Sequence, residues 1–200
     1  MDFLNTGILG FIYWLNNFFN DFGLTIIFFT IILKIILAPI DFLAFLEELK
    51  LQKLRPKIKE IMKIAKNDIQ KQAELLTEVY KKENYNPFFT MAIQFLPLPI
   101  LFSIFFSLNK IAKNNALDLT FLNSIDLGQK NFFLSTAVGI VQFLTILNLP
   151  DDQKKIALFL FGLIIIILYQ FPAILNLYWL INLIFTLIER VIFKKYLLPN

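Results

Sequence analysis

Five long apolar stretches, separated by short polar segments, dominate the hydrophobic pattern of the chain. A helix needs about 20 residues to cross the hydrocarbon core of a bilayer. Pro172 stops a helix after the fourth stretch, so the fourth and fifth stretches are predicted to form a tight hairpin. The pattern predicts an all-α integral membrane protein with five transmembrane helices, over residues 23–45, 87–109, 131–149, 156–170 and 172–193.

A charged segment over residues 46–86 separates the first two stretches. It carries apolar residues at helical spacing, including Leu54, Ile58 and Ile61 in one arm. Asn67 and Gln70 fit a capping box at the start of a second arm. The segment is therefore predicted to be a helical hairpin, and a charged, solvated linker is the alternative.

The first 22 residues alternate apolar and polar faces with a helical period. Asn and Asp residues occupy the polar side, and Tyr13 and Trp14 are suited to a membrane interface. We expect an amphipathic helix that lies in the extracytoplasmic interface. The alternative is that this stretch is part of a longer, tilted first span.

The Lys and Arg residues indicate the orientation in the membrane. Fifteen of them lie in the hairpin, in the loop over residues 150–155 and near the C-terminus, and three lie in the loop over residues 110–130. Because cytoplasmic loops carry the excess of basic residues, the N-terminus is predicted outside and the C-terminal tail, residues 194–200, inside.

Composition narrows the chemistry further. Hydrophobic residues make up 58% of the chain, above the roughly 45–50% of a soluble domain. There is no Cys and no His, which removes disulfides, thiol nucleophiles, the usual zinc sites and His-based acid–base catalysis. We expect neither an enzyme nor a cofactor.

Lys34 is the most informative residue, because it lies about 15 Å into the first predicted span at helical rise. A Lys at this depth costs roughly 2.5–3.5 kcal/mol on insertion scales. Only Asp41 within the same span could balance its charge. We therefore expect water beside Lys34, in a cavity reached from the cytoplasm.

Further polar residues fall on one face of other spans, as Tyr178, Asn182, Thr186 and Glu189 do in the fifth. Such stripes favour a wet internal cavity, although polar pairing across a dry bundle is the alternative. The predicted cavity residues are Lys34, Thr30, Asp41, Gln94, Gln142, Tyr178, Asn182 and Thr186. The basic residues predicted to act on the hairpin are Lys53, Arg55, Lys57 and Lys59.

The order of these features resembles the YidC/Oxa/Alb family of membrane protein insertases, from about Trp14 to Lys195. The resemblance rests on a mid-span basic residue followed five residues later by Pro39, and on the motifs Gln52-Lys53-Leu54-Arg55-Pro56-Lys57-Ile58-Lys59, Asn86-Pro87, Leu98-Pro99, Phe171-Pro172 and Leu177-Tyr178-Trp179. Lys34 takes the place of the usual Arg, and Phe89-Thr90 that of a frequent Gly-Gly.

The resemblance implies five spans around a hydrophilic groove that is open to the cytoplasm and to lipid. It implies an insertase and chaperone of the bacterial cell membrane, with nascent membrane proteins and the lipid bilayer as partners. We also expect weak binding to the ribosome, a possible Sec translocon partner and no sequence-specific binding to nucleic acid. The alternatives are a small transporter or channel with Lys34 in a solute path, and a structural assembly factor for membrane complexes.

Overall fold

The computed structural model describes residues 2–66, 68–114, 117–147, 149 and 151–197. Those residues form eight helices and one short β-hairpin. In chain order they are α1 (Asp2–Phe19), α2 (Phe22–Ile64), α3 (Ile69–Lys82), α4 (Pro87–Phe95), α5 (Leu98–Ala112), β1 (Thr120–Phe121), β2 (Ile125–Asp126), α6 (Phe132–Leu147), α7 (Asp151–Leu168) and α8 (Ala173–Leu197). The chain divides into two compact units, residues 1–36 with 99–200, and residues 37–98.

Three helical segments in the described part of the chain are long and apolar enough to cross a membrane. They are Phe22–Ile64, Pro87–Ala112 and Ala173–Leu197. Helix α6 is apolar but has only 16 residues. Helix α7 is not among the three, because its first turns contain charged residues. The fold is that of an α-helical membrane protein, and the number of five spans stays a prediction.

Several predicted boundaries differ from the structure. Helix α2 runs without a break from the predicted first span into the first arm of the hairpin, because residues 43–50 are mostly good helix formers without Gly or Pro. Helix α7 begins at Asp151, so the prediction of a loop over residues 150–155 was wrong for its described part. Two Asp residues after a Pro favour a helix start there.

The larger unit is built around one hydrophobic core. Ile12 and Leu15 of α1 are buried in it together with Ile26 of α2 and Ile104 of α5. Trp14 and Phe18 lie on the opposite, exposed face of α1. Helix α1 thus has one buried face and one exposed aromatic face, whereas its place in the membrane interface stays a prediction.

The turn between α1 and α2 also holds the β-hairpin. Asn20 has a φ of 49°, which ends α1, and Asp21 then caps α2 by accepting a hydrogen bond from the Leu24 amide at 2.9 Å. The second oxygen of Asp21 accepts from the Leu122 amide at 2.8 Å. A side chain at Gly23 would collide with the ring of Phe121, so the hairpin packs directly against the first turn of α2.

The segment that follows the β-hairpin accepts hydrogen bonds from the first amides of α8. The amide of Ala173 donates to the Gln129 carbonyl at 2.7 Å, and the amide of Ile174 donates to the Leu127 carbonyl at 2.9 Å. The first amides of a helix have no partner within the helix. Two of them are therefore paired with the segment that the sequence assigned only to a loop.

The smaller unit contains the helical hairpin and α4. Glu47 is 6% exposed; its carboxylate accepts from the Thr90 hydroxyl at 3.0 Å and from the Lys50 ammonium at 2.6 Å. The predicted cap Asn67 lies outside the described residues. The cap of α3 is instead Asp68, which accepts from the Lys71 amide at 2.9 Å.

We predict that α3 exchanges its amide hydrogens much faster than α8. None of the residues of α3, Ile69–Lys82, is buried, whereas the first six residues of α8, Ala173–Tyr178, are buried. Elements with few buried apolar contacts open at low free energy. Hydrogen–deuterium exchange in detergent tests this, and equal protection of α3 and α8 would contradict it.

Candidate functional site

A buried ion pair joins α2 to α8 in the larger unit. The Nζ atom of Lys34 lies 2.8 Å from Oε2 of Glu189, and the two side chains are 6% and 7% exposed. Asp41 was the one partner considered for Lys34 within its own span, so Glu189 was not foreseen, while the water-filled cavity beside Lys34 stays a prediction. Helical spacing within one span cannot show a carboxylate supplied by another span, although Glu189 was recognised in the polar stripe of α8.

The pair changes the energetics expected for Lys34. A single charge within a membrane is costly, and an opposite charge in direct contact lowers that cost. Removal of one partner from a buried pair typically costs 3–5 kcal/mol, because the other charge is left uncompensated. Lys34 and Glu189 are thus each held in place by the other.

The hydroxyl groups of the two predicted Thr residues bond to their own helices. Thr30 is fully buried, and its Oγ1 donates to the Ile26 carbonyl at 2.6 Å. Thr186 Oγ1 donates to the Asn182 carbonyl at 2.8 Å. The proton of each hydroxyl is therefore already used within its own helix, and each oxygen can still accept a hydrogen bond from a ligand or from water.

The remaining predicted cavity residues are dispersed. Gln142 on α6 and Asn182 on α8 are half-buried, and Tyr178 is buried. Asp41 and Gln94 belong to the smaller unit, where Asp41 is half-buried on α2 and Gln94 is exposed on α4. Of the predicted site residues, Lys34 forms an ion pair with another helix, through Glu189 of α8.

One polar cluster was missed from the sequence. Asn176 is fully buried on α8, and its Nδ2 donates to Ser135 Oγ at 2.9 Å and to the Leu168 carbonyl at 3.1 Å. Ser135 Oγ in turn donates to the Asn131 carbonyl at 2.9 Å. This cluster joins α6, α7 and α8. Such pairing between helices is the alternative to a wet cavity that the sequence left open. Ser135 on the third span and the polar residues of α8 were its only sequence signal.

An apolar cavity of about 360 Å³ lies between α5, α7 and α8. Its walls are aromatic and aliphatic, and Tyr178 contributes to them although it was predicted for a wet cavity. A space of this character is suited to apolar side chains or acyl chains. The lining residues are Leu101, Phe102, Phe105, Phe106, Ile164, Ile167, Leu168, Phe171, Leu175, Tyr178 and Trp179.

The basic residues of the hairpin lie at its surface. Lys53, Lys57 and Lys59 are exposed, and Arg55 is half-buried. Lys57 pairs with Glu83 at the end of α3, and this hydrogen bond holds the pKa of the Glu83 carboxyl below its usual value. Within the described residues, no group of three or more Asp or Glu residues could hold a metal ion.

Comparison with known proteins supports the resemblance noted from the sequence. Residues 14–199 match the sequence model of the family described as "60Kd inner membrane protein". The chain is 30% identical to the membrane protein insertase YidC of Campylobacter jejuni over 199 residues, which are 96% of this chain and 38% of that protein. It is 30% identical to the YidC of Wolinella succinogenes and 29% identical to that of Helicobacter pylori, and covers 35% and 37% of those proteins.

The three long apolar helical segments indicate an α-helical integral membrane protein. The chain belongs to the 60Kd inner membrane protein family, in which the relatives above are named membrane protein insertases. It spans little more than a third of the length of those curated relatives.

We predict that loss of one partner of the ion pair destabilises the protein far more than loss of both. Glu189→Gln or Lys34→Met alone should cost about 3–5 kcal/mol, because one charge stays buried and uncompensated. The double variant Lys34→Met/Glu189→Gln should recover most of that stability. Thermal unfolding in detergent measures this.

Lys57→Gln is the matched control, because the Lys57–Glu83 pair is solvent-exposed and should be worth little. We expect no measurable change in its Tm. A double variant that is as unstable as the sum of the two single variants would show that Lys34 and Glu189 do not stabilise each other.

Proposed function

We propose that this chain is a membrane protein insertase and chaperone. It would accept a nascent hydrophobic segment and release it sideways into the bilayer, without catalysing a covalent reaction. Three findings support this proposal: membership of the family, the names of its relatives, and helices apolar enough to span a membrane. The observation that carries the mechanism is the buried pair between Lys34 and Glu189.

The ion pair suggests how an acidic substrate tail is received. Lys34 presents a positive charge that Glu189 balances while no substrate is bound. A carboxylate of the translocating tail would replace that of Glu189, so that the charge of Lys34 stays compensated throughout. Glu189 would then need hydration, which a groove open to the cytoplasm supplies.

The hydrophilic groove is the second part of the proposal. Its walls would include Thr30, Gln142, Asn182 and Thr186, all within the larger unit. Water in such a groove shortens the low-dielectric path that a polar tail must cross. The partial exposure of Gln142 and Asn182 is compatible with this role.

The driving force would come from the substrate itself. Burial of its hydrophobic segment in lipid contributes about 25 cal/mol per Å² of apolar area. The membrane potential adds about 2.3 kcal/mol per charge for every 100 mV. The apolar cavity between α5, α7 and α8 offers apolar side chains of that segment a first contact before they reach lipid.

The proposed setting is the bacterial cell membrane. From the excess of basic residues we propose that the hairpin and the C-terminus lie in the cytoplasm and the N-terminus outside. The ribosome would then meet the hairpin first, by screened electrostatic attraction. A Sec translocon is a possible further partner.

We predict that the charge at position 34 matters only for substrates with acidic tails. Lys34→Arg keeps the charge and should retain insertion, whereas Lys34→Ala should impair it. The double variant Lys34→Met/Glu189→Gln is the cleaner test, because it removes both charges without leaving one uncompensated. It should insert an acidic-tailed, single-span substrate about tenfold more slowly, as expected for the loss of a hydrogen bond between charged groups.

The measurement is insertion of that substrate into proteoliposomes, scored by protease protection. The matched substrate carries Asn and Gln in place of the tail Asp and Glu residues, and the double variant should insert it at the wild-type rate. Equal insertion of the acidic and neutral tails by the double variant would refute the role of Lys34.

We predict weak, salt-sensitive ribosome binding that depends on the hairpin. The hairpin has ten basic and seven acidic residues. Exposed charges are screened over about 10 Å at 0.1 M salt. Co-sedimentation with ribosomes across a salt series should show loss of binding in the variant with Lys53, Arg55, Lys57 and Lys59 changed to Gln.

A variant that lacks residues 194–200 is the comparison, and it should bind nearly as well as the intact chain. Binding that is insensitive to salt, or that disappears with the tail while the hairpin charges are intact, would assign the contact to another element.

A further inference from the structure

A second cavity, distinct from the ion pair, lies between α1 and α5. Its volume is about 340 Å³, and polar as well as apolar side chains line it. Ser107 and Lys110 of α5 lie three residues apart and so face the same side of the helix. The lining residues are Asn5, Thr6, Leu9, Phe106, Ser107 and Lys110.

Two buried oxygen atoms of this cavity have no hydrogen-bond partner. Ser107 is 1% exposed, and its Oγ is unpaired. Asn5 Oδ1 is likewise buried and unpaired. Buried polar atoms in native proteins are nearly always hydrogen-bonded, either to protein or to a bound molecule. Asn5 and Ser107 therefore point to a polar ligand.

The size and charge of the cavity restrict what that ligand is. One water molecule occupies about 30 Å³ of liquid, roughly a tenth of this cavity. The cavity carries one cationic side chain, that of Lys110, and a phosphodiester carries one negative charge. Hydroxyl, ammonium and amide donors together suit phosphate oxygens, since the amide of Asn5 can present its NH2 group after a flip.

Phe106 indicates that the phosphate is part of a lipid. Its side chain lines this cavity and also the apolar cavity between α5, α7 and α8. An apolar surface therefore begins next to the polar site, where an acyl chain attached to the same headgroup could lie. A free phosphate ion would make no use of that surface.

We propose that the cavity between α1 and α5 binds the phosphodiester headgroup of a phospholipid, with Ser107, Lys110 and Asn5 as its hydrogen-bond donors. This role goes beyond the proposed insertion activity and does not depend on Lys34. The bound lipid would hold α1 against α5 by accepting hydrogen bonds from the Ser107 hydroxyl and from the flipped amide of Asn5.

The experiment is lipid retention by the full chain in detergent, counted by native mass spectrometry. Phosphatidylglycerol is added to the wild type and to the variants Ser107→Ala, Lys110→Gln and Lys113→Gln. We expect retention to fall about tenfold in the first two variants, as for one lost hydrogen bond to a charged group, and to be unchanged in the third. Lys113 is the matched control because it is exposed on the same stretch and does not line the cavity.

Two further arms separate the sources of the phosphate. Diacylglycerol with the same acyl chains should be retained no better by the wild type than by Lys110→Gln. Inorganic phosphate at equal concentration should not displace phosphatidylglycerol.

Displacement by inorganic phosphate would overturn the lipid assignment. Equal retention of phosphatidylglycerol by Lys110→Gln and Lys113→Gln would overturn the site itself. Ser107→Ala removes only a hydroxyl. The phosphatidylglycerol that this variant retains therefore also tests the site if Lys110→Gln proves unstable. If Ser107→Ala retains as much phosphatidylglycerol as the wild type, then water, and no phosphate, occupies the space beside the Ser107 hydroxyl.

Discussion

The larger unit depends on one electrostatic constraint: a charge within an apolar helix must be compensated. Lys34 meets this constraint through Glu189, which lies 2.8 Å away on α8. A buried pair is weak as a source of net stability, but strong as a penalty against any arrangement that separates its partners. It therefore opposes any separation of α8 from α2, and in the proposed mechanism a carboxylate of the substrate tail would compete with Glu189 for Lys34.

The rest of the larger unit keeps α8 in the position that this pair requires. At its first turn, the amides of Ala173 and Ile174 bond to carbonyls that follow the β-hairpin. The hairpin is itself tied to the start of α2 through Asp21. Helices α2 and α8 are thus joined near one end through the segment that contains the β-hairpin, by the Asp21 carboxylate on one side and backbone hydrogen bonds on the other, and further along by the ion pair. Release of Glu189 by a substrate would leave the first connection intact, which permits opening without unfolding.

Much of the fold could be read from the sequence, and the failures have physical reasons. Apolar runs and Pro positions located the helices, because hydrophobic periodicity and the missing amide of Pro are local properties. The partner of Lys34 could not be found in this way, since contact between α2 and α8 depends on packing of distant segments. The Asn176 cluster and the β-hairpin were missed for the same reason. Tyr178 was placed in a wet cavity by its hydroxyl, although its ring faces an apolar one.

The central claim is that a substrate tail reaches the ion pair, and site-specific photo-crosslinking to a ribosome-stalled nascent chain tests it most directly. A photoreactive residue at Thr186, three residues before Glu189 on α8, should crosslink to an acidic-tailed nascent chain. The same residue at Val191, which is 68% exposed, serves as the control. The account predicts crosslinks at Thr186 that weaken when the tail is made neutral. Crosslinks at Val191 alone, or equal crosslinks at Thr186 for both tails, would contradict it.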